Sequence, residues 1–469
     1  MGTKKLNPLD ASWLYVESRD TPMHVAGMQI FSLPRDAKPD FLQNLVAHLK
    51  SSKNLASPWS LKLRSSLLAK VLPVWTTDND IDLDYHVRHS ALPAPGGERE
   101  LGVLVSRLHS HQLDFSRPLW ECHVIEGLEG NRFALYTKMH HSMVDGISGM
   151  RMMQRAMSES ADDSLDLLPP WSVDAAREAE RDARRDREAP TPANVLNAAL
   201  EGMRKQVQSV PDLGRALGRL VKSAANAGSD LTAPFAAPPS VLNGRITGQR
   251  RFATQQYSLA RIKALAKAAD ATLNDIVLAL CSTALRRFLK EANALPARSL
   301  TTGIPVNVRP ADDEGAGNAI SFIMANLGTD VADPRKRIEA IKESTRRAKE
   351  HLQSLPRSAL TQYTMIVMAP YILQLLSGLG GRTRPVFNVT ISNVPGPQTP
   401  LYFQGAKVEA MYPVSLLSHG QALNITCVSY AGSLDFGFTA ARDTLPHMQR
   451  LAVYTGEALE ELDKLLRTA

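Results

Sequence analysis

The sequence predicts an α/β fold in two domains, and three observations carry that expectation. At 469 residues the chain exceeds what one hydrophobic core usually supports. Strand-like and helix-like signals alternate through the first third, and the pattern resumes near Gly248 after a middle stretch of different composition. Near the end of the first part, an aromatic and apolar run ends in paired histidines and opens into a helical pattern, a place where scaffolds present side chains to a crevice.

Taken in order, the spacing of apolar residues predicts a helix over 41–49. A second helix is predicted from Leu101 to His111, with His109 and His111 on its polar surface. Phe133-Ala134-Leu135-Tyr136-Thr137-Lys138-Met139 reads as a mostly buried strand, and the residues after Gly146 read as a helix start. Mixed charge over 175–187, broken by Ala189-Pro190-Thr191-Pro192, reads as a solvated helix and hinge. Over 210–227, Leu213, Leu217, Leu220 and Val221 form a stripe opposite Arg215, Arg219 and Lys222. That pattern suits packing on the body or lying on an anionic membrane.

The second domain opens with a strand at 251–258 and a helix at 259–269. Thr272-Leu273-Asn274-Asp275 follows, with acceptors suited to a helix start. Residues 358–381 carry no charge over 24 positions, long enough to span a bilayer, but Gln362, Gln374 and central Pro370 argue against spanning. The expectation there is a broken apolar helix lining a lipid tunnel or dipping into an interface. Two strands, 423–430 and 434–439, flank a turn at Ala431-Gly432-Ser433. The domain boundaries are therefore 1–160, a helical crossover at 161–245, and 246–469.

The net charge of +7 favours anionic partners such as acidic lipid headgroups or nucleotide phosphates. No nucleic-acid motif is present, and aromatics at 6% supply little for base stacking, so nucleic acid is not an expected partner. The scattered cysteines Cys122, Cys281 and Cys427 form no disulfide framework and fit a reducing cytoplasm as buried thiols. The first residues do not read as a secretory signal.

The heptad His140-His141-Ser142-Met143-Val144-Asp145-Gly146 carries the chemistry. Alternation along a strand sends His140 and His141 to opposite faces, so at most one works and the other packs or anchors. Three readings stay open on residue types alone: a buried, satisfied histidine pair, a metal site, or a general base. The metal reading is the poorest, because no HExxH, CxxC or His-rich tract accompanies the pair. Local spacing gives Asp145 the task of orienting His141. A nucleophilic serine is not expected, since Gly146-Ile147-Ser148-Gly149 fails the elbow spacing.

HHxxxDG resembles the signature of CoA-dependent acyltransferases related to chloramphenicol acetyltransferase and to peptide-synthetase condensation domains. Further stretches, in order, resemble the bacterial bifunctional wax ester synthase/diacylglycerol acyltransferases: Leu6-Asn7-Pro8-Leu9-Asp10, Thr21-Pro22-Met23-His24-Val25, Asp84-Tyr85-His86-Val87-Arg88 and Arg117-Pro118-Leu119-Trp120-Glu121. Asn274-Asp275, Pro305-Val306-Asn307-Val308-Arg309 and Ser392-Asn393-Val394-Pro395-Gly396-Pro397 continue the set after the heptad.

The resemblance implies two chloramphenicol-acetyltransferase-like domains, each a mixed sheet with flanking helices and an active-site channel between them. It implies His141 as the base that activates a fatty alcohol or diacylglycerol hydroxyl against long-chain acyl-CoA, which is a substrate, so no cofactor is expected. It turns Asp145 away to pair with an arginine, for which Arg309 is the candidate. Asn274 is the candidate oxyanion donor, or a helix-start cap, with Asp275 beside it. Gly146 is assigned to a tight turn and close substrate approach, His140 to support. Pro118, Leu119, Trp120 and Ile147 are candidates for the channel wall, with core packing an equal account for Trp120. The implied location is cytoplasmic, at the inner membrane or lipid inclusions. Two rivals remain: a free-standing condensation-type enzyme using carrier-bound acyl groups, and a non-enzymatic lipid-droplet surface protein.

Overall fold

The computed structural model describes residues 3–6, 8–52, 54–64, 73–144, 146–173, 232, 234–307, 320–354 and 357–467. In the first half these form β1 (Thr3–Lys5), α1 (Pro8–Val16), β2 (His24–Ser32), α2 (Phe41–Lys50), β3 (Leu61–Leu63) and β4 (Val74–Thr77). Then come α3 (Leu83–His86), β5 (Val87–Ala91), α4 (Glu98–Ser110), β6 (Trp120–Leu128), β7 (Arg132–His140) and α5 (Gly146–Gln154). The second half begins with β8 (Arg250–Ser258), α6 (Leu259–Ala268) and α7 (Leu273–Glu291). It continues with β9 (Thr301–Asn307), β10 (Ile320–Asn326), α8 (Pro334–Ser354) and α9 (Arg357–Leu376). β11 (Val389–Pro395), β12 (Tyr402–Phe403), β13 (Ala406–Val414), β14 (Leu423–Tyr430), β15 (Ser433–Ala441) and α10 (Gln449–Arg467) complete it. The expected strands and helices around 41–49, 133–139, 251–258 and 259–269 are all present. The mixed-charge segment at 175–187 and the stripe at 210–227 lie outside the described residues.

Two six-stranded mixed sheets dominate, ordered β12-β13-β2-β7-β6-β5 and β10-β9-β11-β14-β15-β8. The first is not built from the first half alone. β13 pairs antiparallel with β2, from Lys407 opposite Ser32 to Val414 opposite Ala26, so the second half supplies two strands to the first sheet. Division of the sequence at 161–245 therefore does not coincide with division of the sheets.

The seam beside β13 is close. An added Cβ on Gly437 of β15 would lie 1.9 Å from the Pro413 carbonyl oxygen, so only glycine lets these strands approach. Asp435, fully buried, accepts from the Met411 backbone N–H at 2.7 Å and from Ser433 and Gln256. Asp435 and Gly437 of β15 thus serve the structure of this seam. On the other side, β8 would leave edge N–H groups unpaired. Instead Ser110 and Ser106 of α4 accept from the Arg250 and Phe252 N–H groups at 2.8 and 2.9 Å.

Local signals explain several elements. Thr272 and Asp275 form a reciprocal capping box that starts α7. The β14–β15 hairpin turns through Ala431 and Gly432, both at positive φ (42° and 88°), matching the twist of the flanking strands. α7 contributes Ile276, Leu278, Leu280 and Leu285 to the same apolar core as Ile304, Ile391, Phe436 and Phe438 of the second sheet. Each such side chain removed from water stabilises by roughly 1.5–3 kcal/mol.

Two expectations need correction. His109 does not sit on a polar helix surface: it is 1% exposed, with Nδ1 2.8 Å from Tyr136 Oη and Nε2 donating to Ser415 O at 3.1 Å. Its partner at residue 415 closes over α4 from the other half, which helical spacing cannot reveal; His111 is exposed as expected. The apolar stretch is also not broken at Pro370, because α9 runs through it. Val367 holds the helix on Met324, Val386 and Phe387. Among the described residues no single helix is long and apolar enough to cross a membrane.

Candidate active site

β7 ends at His140, and the next three residues turn away into α5. The His140 N–H donates to Leu119 O at 3.0 Å, and the His141 N–H donates to Met23 O at 2.8 Å. The residue preceding β2 therefore holds the turn from one side and the residue preceding β6 from the other. The His140 ring is buried at 1% exposure. Its Nδ1 accepts the Ser142 backbone N–H at 3.1 Å and lies 2.6 Å from Ser142 Oγ. Its Nε2 faces Glu17 Oε2 at 3.5 Å, with Phe115 edge-on at 5.6 Å. His140 is the anchoring member of the pair.

His141 is half-buried, and its ring lies against Trp13 of α1, centroids 4.5 Å apart and planes tilted by 31°. An aromatic face at this separation favours a positive charge on the neighbouring ring. Neither Trp13 nor Glu17 was a sequence candidate; both come from a segment over a hundred residues upstream. Among the described residues no group of three potential metal ligands occurs.

Asp145 and Arg309 lie outside the described residues, as does the side chain of Ile147. Gly146 opens α5 without a positive φ, and among the described residues a Cβ there would meet nothing within 4 Å. Asn274 is half-buried in the first turn of α7 but does not cap it, because Thr272 and Asp275 do. Asp275 also accepts from Thr345 Oγ1 at 2.6 Å, tying α7 to α8. His141 and Asn274 thus belong to different halves.

Pro118, Leu119 and Trp120 are buried, the last two at 0% exposure, and form core rather than an open wall. The Trp120 indole N–H donates to Trp59 O at 2.8 Å, and its ring stacks on His86 and Trp171 at 4.4 and 4.9 Å. Arg117 covers the Tyr85 ring at 4.2 Å, and Arg88 Nη2 reaches Glu121 at 3.4 Å. The stretches around residues 84–88 and 117–121 therefore lock to one another beneath the histidine turn.

The surrounding interior is unusually polar. Lys138, fully buried, donates to the Leu108 and His111 carbonyls at 3.1 and 3.0 Å and lies 3.3 Å from Glu121. Burial opposes ionisation of Glu121, yet its hydrogen bond to His123 and the charges of Lys138 and Arg88 hold it down at about 2. Burial lowers the His24 imidazole well below its usual range and His109 to about 3. Burial pushes Cys122 and Cys281 up to about 12, leaving them as inert thiols.

Two mixed sheets stitched together by β13, with an anchored first histidine and a half-exposed second one at a strand end, define an acyltransferase of the paired-histidine class. The chain belongs to the wax ester synthase/diacylglycerol acyltransferase family: the model of that catalytic domain matches residues 6–277, and the C-terminal domain model matches 316–463. It is 40% identical to O-acyltransferase WSD of Acinetobacter baylyi, over 97% of this chain and 96% of that one. It is 47% identical to a Mycobacterium tuberculosis protein named as a candidate diacylglycerol O-acyltransferase, covering 98% and 97%. Its structure is similar to that of the wax ester synthase/diacylglycerol acyltransferase of Marinobacter aquaeolei, with TM-score 0.77 and 37% identity over 99% and 100% of the chains. The first condensation domain of the CDA synthetase shares the fold at TM-score 0.56 and 15% identity, over 99% and 96%.

Proposed function

We propose that this protein transfers a long-chain acyl group from acyl-CoA to the hydroxyl of a fatty alcohol or diacylglycerol, with His141 as the general base. The observation carrying this reading is the division of labour in the turn: His140 is buried and held on both ring nitrogens' sides, while His141 is half-exposed beside Trp13. The His141 imidazole takes the hydroxyl proton as the alcohol oxygen attacks the thioester carbonyl carbon. The carbonyl π pair moves to oxygen, and the Asn274 amide donates a hydrogen bond to that oxyanion. Collapse re-forms the carbonyl, breaks the carbon–sulfur bond and releases CoA, whose sulfur takes the proton from His141. Trp13 supports the transient imidazolium through its ring face. Acyl-CoA enters as substrate, and this route requires no cofactor. Asp145 paired with Arg309 would hold the loop.

The protein also meets lipid peripherally, at the inner membrane or at lipid inclusions. Leu376 and Leu379 are exposed at the end of α9, close to Arg245, whose Nη1 lies 3.4 Å from Gly378 O. Arg382 and Arg384 follow within a few residues, and a basic rim around leucines suits an anionic surface.

The test is to supply palmitoyl-CoA with hexadecanol or dioleoylglycerol and follow CoA release and neutral lipid. His141→Ala should lose about 10²–10⁴-fold in rate, the usual contribution of a general base, at unchanged thermal stability. Full activity of that variant would defeat the mechanism. In liposome flotation, binding should rise with anionic lipid and fall with salt; indifference to both would remove the docking surface.

A further inference from the structure

We infer that Glu17 is a positioning residue for the catalytic turn, holding both histidines at once, an inference that rests on His141 being the base. Glu17 follows α1 directly, and its side chain is 7% exposed. A carboxylate so enclosed is unfavourable unless its oxygens are matched by donors. Here two donors match them and a third nitrogen faces them. The Met23 backbone N–H donates to Oε2. Gln112 Nε2 donates to Oε1 at 2.8 Å. His140 Nε2 stands 3.5 Å from Oε2.

Two of these partners lead to the histidines. Met23, gripped at its N–H by Glu17, offers its own carbonyl to the His141 N–H at 2.8 Å. One residue therefore separates the carboxylate from the backbone of the base. The other route is direct. Because the Ser142 backbone N–H points at His140 Nδ1, that nitrogen accepts, and the ring proton sits on Nε2, toward Glu17. That buried nitrogen makes no hydrogen bond of normal length to any described residue, and the Glu17 carboxylate at 3.5 Å is the acceptor it faces. The Glu17 charge also acts on Lys138 and Arg250, both buried nearby, in the direction that favours their cationic forms.

Removing the carboxylate would release the Met23 N–H and leave His140 Nε2–H facing no anion, letting the turn move. A displacement near 1 Å at a reacting group can cost about 100-fold in rate. Glu17→Gln keeps the shape but places an amide where one acceptor oxygen was. It should lower kcat roughly 10- to 100-fold with the acyl-CoA KM within about twofold and Tm unchanged. Glu17→Asp, which keeps the charge on a shorter arm, should recover part of the loss.

A merely structural role would not move the second readout, the imidazole signals of 15N-histidine-labelled protein. The wild type should show His140 as the Nε2–H tautomer, identified by loss of its signals in His140→Gln, and Glu17→Gln should shift that proton. Overturning results are a kcat within twofold of wild type in Glu17→Gln, a parallel fall of kcat, Tm and substrate binding, or a wild-type His140 protonated on Nδ1. Should Glu17→Gln not fold, Glu17→Asp and the wild-type tautomer decide. An active His141→Ala would instead remove the base assignment and leave the His140 tautomer result standing.

Discussion

Around β5, β6 and β7 the interior holds Glu121, His123, Lys138, His140, His24 and His109, all less than 10% exposed. Between the other sheet and α6, α7 and α10 the interior is mainly aliphatic and aromatic, with Asp275, Ser282, Thr345 and Thr455 among its few buried polar groups. The first interior thus sets charged and imidazole groups among its apolar clusters, whereas the helix-covered side of the second sheet is mainly apolar. The polar interior is held by paired donors and acceptors, which fix geometry well but contribute little net stability. The apolar interior supplies burial and is tolerant of small shifts in direction. The proposed base stands on the first and the proposed oxyanion donor on the second, so rigidity of orientation and bulk stability come from different places.

The largest test of that contrast concerns whether the apolar half contributes to chemistry at all. Asn274→Ala should cost about 10²–10³-fold in kcat, the usual loss for one oxyanion donor, with KM little changed. Because the α7 cap belongs to Thr272 and Asp275, its stability should stay within about 0.5 kcal/mol. An unchanged kcat would reduce the second half to a scaffold.

A smaller effect tests the seam. Gly437→Ala should destabilise by about 1–3 kcal/mol as the Cβ meets the Pro413 carbonyl, read as a lower urea midpoint. Gly244→Ala, whose Cβ would meet nothing within 4 Å at a φ of −75°, should be neutral. Equal behaviour of the two would mean that the strands do not approach as closely as described.

A third test separates the two interiors by pH. Burial keeps His24 and His109 neutral in the folded chain, His109 down to about 3, whereas the unfolded chain takes up protons near 6.5. Stability is therefore complete above pH 6.5 and falls as pH drops below it, by about 1.4 kcal/mol per pH unit for each such histidine. The Glu121 contribution is present above 4.5 and is lost only as pH falls toward about 2, so the window from 6.5 to 4.5 reports the histidines. Melting temperature against pH should be less steep for His109→Gln. An equally steep line would place the acid sensitivity elsewhere.

Much of this was legible because its causes are local. The α7 capping box, the β14–β15 turn and the strand ending at the histidine pair depend on neighbours within a few residues. What escaped depends on distant partners. The burial of His109 needs Ser415, β13 joins β2 across more than 370 residues, and Trp13 and Glu17 reach a turn whose sequence contains no trace of them. Trp120 matched a family stretch that suggested a channel wall, but its indole N–H and both ring faces are occupied by the core.

The pairing of β13 with β2 has a practical consequence for dissecting the molecule. A fragment ending near residue 160 would leave β2 as a bare rim of unmatched amides and carbonyls, an invitation to self-association. The complementary piece would carry an orphaned ribbon with nothing to lie against. Mixing the two pieces should restore solubility where either alone precipitates, and only the reunited pair should display a working histidine.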